Sequence, residues 1–466
     1  MSAIAKKIVL VGGGNAAGYF ARAVVAAGRG AELTMIAAEN VLPYERPALT
    51  KAFLHAESPA RLPGFHTSVG GGGERQTAEW YATHGVEVIL GTRVVDANLE
   101  EKTVVTDAGK SYSYDKLVVA IGCTALKLPS AIGGDLPGVH RVRDVADALA
   151  LCDAMDGCAK GSVVIGGGYV GLEVAAALAT RGLSPRVVMM EPHIMSRLWT
   201  REIAEKYEKL YEAKGTTFHR GAKVAKIIAG DDGRAAGVEL DGGATLECDV
   251  VVVGVGAGAP IEPFARLAAA PAPTGGIAVD GTFAASGEGI EPKSVYAIGD
   301  VAAFPLKRAG GALRRVLLHT GPHTTARMEH VAHARASAAH AAKAVLDPSS
   351  AETYDYLPYF YSRVFEHAGS ERKVAWVFYG AQPEGAEVVV VGELRPKLFA
   401  AWIDPSGAFY ISQTDGTTLV GAMLESGDGE EVDVVKSAAE RCPKVDVDAL
   451  KKCATVEDAL ALVAAA

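Results

Sequence analysis

A chain of 466 residues, 49% of them hydrophobic, is too long for one core and calls for two or three domains. Its formal net charge of -9 argues against nucleic acid or an anionic membrane as the main partner. No apolar run is long enough to span a membrane, and the short, glycine-broken stretch DVVVVGVGAGAP at 249–260 reads as a buried strand and turn.

The few residues before the first expected strand leave no room for a targeting peptide, and the C-terminal LALVAAA carries no peroxisomal tripeptide. The expected location is therefore the cytoplasm. From Lys6 the sequence KKIVLVGGGNAAGYFARAVVAA reads strand, tight turn, helix. Gly12 allows the sharp turn, Gly14 lets backbone approach a pyrophosphate, and Ala17 keeps the helix close to its strand. The open N–H groups and positive dipole of the helix start suit phosphate. One such glycine pattern is a weak signal, since a glycine-rich turn in any α/β protein looks similar.

The next β-like run, Leu33 to Ile36, is followed by Glu39, placed as the acid that accepts from a ribose hydroxyl. Glu39 to Leu54, ENVLPYERPALTKAFL, reads as a turn-rich loop entering a helix, and Arg46 and Lys51 on it are candidates to cross the first cofactor. A glycine-hinged loop over 59–77 then leads into a helix with Trp80 and Tyr81, followed by strands over 85–105 and 111–122. The prolines at 129 and 137 mark a linker, and Arg141 to Asp147 opens the next helix.

A second cradle follows, GSVVIGGGYVGLEVAAALAT at 161–180, with Gly166, Gly168 and Gly171 in full G-x-G-x-x-G register and Glu191 after the next strand. Two cradles imply two dinucleotides. Cys248 to Gly256 reads as the strand that closes this domain. Ser294 to Ala302, SVYAIGDVA, reads as a strand with Gly299 and Asp300 at a helix start, where the carboxylate could serve a flavin's ribitol or act as an N-cap.

Residues 303–348 read as irregular and then helical. His319, His323, His330, His333 and His340 are spread over loop and helix without cysteine or carboxylate partners, so no metal is expected. After Pro348 the runs 354–365, 374–378, 388–391, 398–403 and 409–411 read as an antiparallel sheet, and the tail from Glu430 as helical. None of the six cysteines forms a C-x-x-C or C-x-x-x-x-C pair, so no dithiol is available and redox chemistry must run through a cofactor alone.

These motifs resemble those of the two-dinucleotide-domain flavoprotein reductases and, among them, the plant-type monodehydroascorbate reductases. The likeness spans nearly the whole chain. VVIGGGYVGLE at 163–173 and VYAIGDVA at 295–302 are shared broadly, whereas VLPYERPALTKAFL at 41–54, ARLPGFHTSVGGGGER at 60–75, EHVAHAR at 329–335 and YDYLPYFYSR at 354–363 are more particular. The implied fold is α/β: two Rossmann-like dinucleotide-binding domains of the glutathione-reductase type plus a C-terminal α+β domain with an antiparallel sheet. The expected division is an FAD-binding domain at 1–125 and 257–334, an NAD(H)-binding domain at 126–256, and an interface-type domain at 335–466.

The resemblance implies FAD contacts at Gly13, Gly14, Asn15, Ala16, Glu39, Arg46, Lys51, Val94, Arg143, Asp300 and Val331. It implies nicotinamide-nucleotide contacts at Gly167, Gly168, Tyr169, Val170, Gly171, Leu172, Glu173, Glu191, Arg197, Gly256, Glu329 and His330. Arg335 and Tyr361 are the implied substrate residues. This chain departs from the pattern at 308–328, which is longer than in relatives and leaves Arg315 and Arg327 as rivals for the arginine before EHV. Ser68 stands where relatives often have cysteine, and the 254–260 turn lacks an arginine common among them.

The expected reaction is hydride transfer from NADH to FAD, then two one-electron transfers to two monodehydroascorbate radicals, giving ascorbate. Arg335 is expected to supply counter-charge for the anionic radical and Tyr361 to pack beside it. Glu191 predicts NADH over NADPH, since its charge repels a 2′-phosphate. The rival readings are a ferredoxin or rubredoxin reductase, which would want a basic docking patch, and an FAD-binding protein that senses NADH without turnover.

Overall fold

The computed structural model describes residues 7–67, 74–306, 325–366, 373–382, 385–404 and 417–466. The chain forms two compact units, each assembled from three segments: Met1–Arg46 with Arg61–Thr124 and Gly258–Pro358, and Pro47–Ala60 with Ala125–Ala257 and Tyr359–Ala466.

The first unit is built on a five-stranded parallel sheet in the order Val295–Ala297, Lys116–Val119, Ile8–Val11, Leu33–Ile36, Glu87–Ile89. The central strands are buried except at Lys116, which is half-buried, and this is why IVLV and KLVV read as nearly continuous apolar runs rather than alternating ones. The helix Asn15–Ala26 packs against the helix Val331–Leu346. Both carry buried alanines, among them Ala17 and Ala21 on the first and Ala338 and Ala341 on the second, and such small side chains permit close packing. A three-stranded antiparallel meander, Val94–Asn98, Thr103–Thr106 and Ser111–Ser113, is joined to the same core.

The second unit repeats the plan: a five-stranded parallel sheet in the order Thr217–His219, Arg186–Val188, Ser162–Ile165, Val250–Val253, Val139–His140, with a meander of Val224–Ala229, Ala235–Leu240 and Thr245–Glu247. It also carries a five-stranded antiparallel sheet in the order Tyr359–Val364, Val374–Gly380, Leu419–Glu425, Leu398–Ile403, Glu387–Gly392. The helices Gly429–Arg441, Val447–Lys451 and Val456–Ala465 cover one face of that sheet through Phe399, Leu424, Val435, Leu450 and Leu460.

Three details differ from the sequence reading. The boundary expected at 334/335 falls inside a helix whose Ala334, Ala338 and Val345 belong to the first unit's core, so the break lies at 358/359. The 39–54 loop ends in two 3-10 turns, Arg46–Ala48 and Ala52–Leu54, rather than a helix. Asp300 lies in a single 3-10 turn, Gly299–Val301, that runs straight into the strand Ala302–Pro305, so it caps no helix. The expected strand at 409–411, residues 308–324 of the long segment including His319, His323 and Arg315, and Ser68 lie outside the described residues.

Candidate cofactor and substrate sites

Both cradles depend on one glycine with a backbone that other residues rarely adopt. Gly12 has φ +137°, and a Cβ there would meet the Ala120 carbonyl at 2.3 Å; Gly166 has φ +115°, with the Gly254 carbonyl at the same distance. Each turn brings its chain against the next strand of the sheet and delivers a helix whose N-cap is itself a glycine, Gly14 or Gly168, with no side chain capping the first turn. The first N–H groups of both helices are thereby left for a ligand.

Around the first cradle, the Arg46 guanidinium lies over Gly14, its Nε 3.3 Å from where a Cβ would stand. It donates to the Tyr44 hydroxyl at 2.9 Å and to Glu39, while Tyr44 donates to the other Glu39 oxygen at 2.7 Å. Burial alone would lower the Arg46 pKa, but Tyr44, Glu39 and Asp300 together raise it, so a firm positive charge faces the cradle. Cys123 donates to Asp300 Oδ2 at 3.2 Å. Arg327 fixes the Asp300 turn by donating to its carbonyl at 3.1 Å and to the Thr274 carbonyl at 2.7 Å, with Glu329 as its ion partner at 2.5 Å. Arg327 is thus a clamp on the turn that carries Asp300.

Gly18, one turn beyond Gly14, lets the 43–46 loop lie along the helix: a Cβ there would stand 2.5 Å from Thr67 Oγ1 and 2.9 Å from Pro43. That approach places Glu45, which the sequence reading did not single out, against the helix face bearing Asn15 and Tyr19. Glu45 is 8% exposed and accepts from Asn15 Nδ2 at 2.6 Å, from the Tyr19 hydroxyl at 2.7 Å and from Arg335 Nη2 at 2.8 Å. The backbone N–H of Arg46 donates to Asn15 Oδ1 at 3.2 Å. Burial first, and then Glu45, raise the Tyr19 phenol pKa. Arg335 is therefore half of an ion pair with Glu45. The signal was present as an acid between Tyr44 and Arg46, yet that loop reads as basic when only Arg46 and Lys51 are weighed.

The first unit thus brings together Gly13, Gly14, Asn15, Ala16, Glu39, Arg46, Asp300 and Arg335 through the contacts above and the packing of Ala16 against Gly299. Val94 places its side chain in the core, leaving only its backbone for a ligand. His330 caps the helix Val331–Leu346 by accepting from the Ala332 N–H at 3.3 Å, so it and Val331 sit at that helix's N-terminus.

The second unit holds the other candidates. Gly168 has open space where a Cβ would be, and Tyr169 and Val170 are half-buried beside it. Leu172 has its side chain buried and its N–H bonded to the Gly168 carbonyl. Glu173 is buried too, and accepts from Thr50 at 2.5 Å, Lys51 at 2.7 Å and Ser362 at 2.6 Å. Lys51 and Glu173 are thus partners within one unit, where the sequence reading gave them to different cofactors. Glu191 is half-buried three residues beyond the strand Arg186–Val188 with no side-chain partner among the described residues, and Arg197 is exposed nearby in sequence. Gly256, at φ +112°, has only Leu126 Cδ1 within 4 Å of a Cβ. Arg143 precedes the N-cap of Val145–Asp156, with its N–H on Asp147 at 2.9 Å. Tyr361 stacks on Tyr359 at 5.8 Å, and Tyr359 on Tyr379 at 4.5 Å. Lys51, Arg143 and Tyr361 therefore belong to the second unit, Glu329, His330 and Arg335 to the first.

No group of histidine, cysteine and carboxylate suited to a metal occurs among the described residues, and no described helix is long and apolar enough to cross a membrane.

Residues 6–338 match the pyridine nucleotide-disulphide oxidoreductase family, and residues 357–456 match the monodehydroascorbate reductase 3-like C-terminal domain. The chain is 47% identical over 464 residues to the chloroplastic/mitochondrial monodehydroascorbate reductase of Arabidopsis thaliana, covering 99% of this chain and 87% of the relative. It is 41% identical to the peroxisomal monodehydroascorbate reductase 2 of rice, covering 94% and 85%. Among solved structures, a ferredoxin reductase from Rhodopseudomonas palustris aligns with TM-score 0.73 at 27% identity over 92% and 93% of the two chains. Putidaredoxin reductase, in its covalent complex with putidaredoxin, shares the fold with TM-score 0.80 over 99% of each chain at 22% identity. The expectation of a cytoplasmic location is overturned by relatives whose names place them in chloroplasts, mitochondria or peroxisomes. On the extent and identity of these matches, the chain belongs to the monodehydroascorbate reductase family.

Proposed function

We propose that this protein is a flavin-dependent reductase that oxidises NADH and returns monodehydroascorbate radicals to ascorbate one electron at a time. The observation that carries the reading is the pair of cradles, each ending in an uncapped helix start, one of them flanked by a held arginine. When bound, a flavin accepts the two electrons of a hydride together and releases them singly, which matches a two-electron donor to a radical acceptor.

The first cradle fits FAD. The N–H groups after Gly14 and the Arg46 guanidinium above it suit a pyrophosphate, Glu39 retains lone pairs for a ribose, and Asp300 suits ribitol hydroxyls. The second fits a nicotinamide nucleotide: the space over Gly168 admits the pyrophosphate, and the Glu191 carboxylate is available to a ribose 2′-hydroxyl while repelling a 2′-phosphate. Lys51 is held by Glu173, so its charge stays at a defined place in the second unit. Arg335, held by Glu45, supplies the charge that meets an anionic substrate, and Tyr361 supplies an aromatic face. No residue is asked to move a proton in a rate-limiting step; positioning and electrostatics suffice.

The test is NADH oxidation by the purified flavoprotein with ascorbate and ascorbate oxidase, which generate the radical in place. Radical-dependent oxidation is expected, with kcat/KM for NADH at least about tenfold above that for NADPH, the size of one lost charge-assisted contact. No radical-dependent turnover overturns the function, and equal coenzyme values overturn the role given to Glu191.

A further inference from the structure

The substrate arginine is not placed by its own helix alone. Arg335 comes from Val331–Leu346, Asn15 and Tyr19 come from the first cradle's helix, and the three donors converge on one carboxylate from a loop. A carboxylate 8% exposed is tolerated only when its lone pairs are met, and here an amide, a phenol and a guanidinium meet them. The guanidinium also lies over the Tyr19 ring, its Cζ 5.2 Å from the centroid, so one side of it is defined by the ring and one nitrogen by Glu45. Its side chain remains 25% exposed.

We propose that Glu45 is a positioning residue for radical reduction, orienting Arg335 so that an anionic substrate meets a directed N–H edge of a neutral pair rather than a bare charge. The proposal rests on Arg335 being the substrate's arginine, as read above. Two consequences follow from charge and geometry. With Glu45 neutralised, the guanidinium is less firmly held and swings toward water, weakening the anion's contact. The Glu45–Arg335 pair also goes from no net charge to one positive charge, beside Arg22, which acts on the same Tyr19, so the remaining attraction becomes more sensitive to salt.

The test uses the flavin-loaded protein with Glu45→Gln, Arg335→Met and the double variant. The ratio of kcat/KM for the radical to kcat/KM for a small neutral dye, with NADH as donor to both, is expected to fall about tenfold in Glu45→Gln, the effect of losing one charge-assisted hydrogen bond. The Kd of the product ascorbate, measured by calorimetry, should weaken by a similar factor, and the radical's KM should rise more steeply with salt than in the parent. The double variant should be no worse than Arg335→Met, because Glu45 acts only through that arginine.

Additive losses, or a Glu45→Gln protein that matches the parent while Arg335→Met is impaired, would overturn the role of Glu45 and leave the substrate reading standing. Parental behaviour in both single variants would overturn the two together. Loss of flavin from Glu45→Gln would assign Glu45 to holding the cofactor through Asn15, also against the proposal. Should that variant not fold, Tyr19→Phe removes one donor without altering charge; a drop of about threefold in the same ratio supports the positioning role, and an unchanged ratio overturns it.

Discussion

The imidazole of His333 lies wholly inside the first unit, stacked on Phe304 at 4.7 Å and 3.3 Å from the Tyr354 hydroxyl. Burial drives its pKa from 6.5 down to about 3, against a weaker upward pull from Asp300 and with His330 adding to the fall. Above pH 6.5 both folded and unfolded chains carry it neutral and it adds no pH dependence. As pH falls below 6.5, the unfolded chain takes up a proton that the folded chain refuses until about pH 3, so stability is lost across that window. At pH 5 the loss is about 2 kcal/mol. Replacing His333 by glutamine, which can still accept from Tyr354 but does not titrate, should reduce the stability difference between pH 7 and pH 5 by about that amount in urea unfolding. An unchanged difference would mean that the folded protein protonates this ring. At this scale the sequence was legible where the backbone dictates the residue, as at Gly12 and Gly166. It was illegible where a role depends on a partner far along the chain: Glu45 with Arg335, Lys51 with Glu173, and Arg327 with the Asp300 carbonyl.

Elements were legible where a short run has one character: the strands Leu33–Ile36 and Leu398–Ile403 lie on the apolar runs read as strands, and the helix Val145–Asp156 begins within the 141–147 stretch expected to open it. The central strand Leu419–Glu425 was missed because LVGAMLE carries a glycine and the helix formers Ala, Met, Leu and Glu, so its composition does not mark it as a strand. The clearest local signal in the tail is the capping box of Gly429–Arg441. Asp428 Oδ1 accepts from the Glu431 N–H at 3.0 Å, and Glu431 Oε2 from the Asp428 N–H at 2.9 Å, while Glu431 also pairs with Lys397 at 2.5 Å. Substituting Asp428 by alanine orphans one of the helix's first donors and should cost about 1 kcal/mol, seen as a lower denaturation midpoint for the second unit. A midpoint equal to the parent's would show that Lys397 and packing alone hold that helix start.

For the whole molecule, the sequence disclosed both cradles and the tail's sheet but not how the chain shares them out. Composition shifts after Pro348, yet the tail groups with 125–257, and 47–60 joins the same unit although it leaves the first cradle's own loop. The grouping comes from contacts no local pattern encodes. Tyr169 of the second cradle meets Phe360 at 4.9 Å, Trp199 meets Trp376 at 5.2 Å, Tyr211 meets Phe365 at 5.0 Å, and Ser362 donates to Glu173. Trp199 and Trp376 are almost fully buried, so parting the tail from the nucleotide sheet would expose large apolar area. If the two open together, a ligand bound only by the cradle must protect the tail as well, because linkage acts on every amide that exchanges through the shared opening. NAD⁺ at 100 times its Kd adds about 2.7 kcal/mol, close to a hundredfold slowing of such amides. Hydrogen exchange within Leu398–Ile403 and Leu419–Glu425 should therefore slow with that within Ser162–Ile165 when NAD⁺ is added. Slowing confined to 125–257 would show that the tail opens on its own, and that the aromatic contacts join two independent folding units.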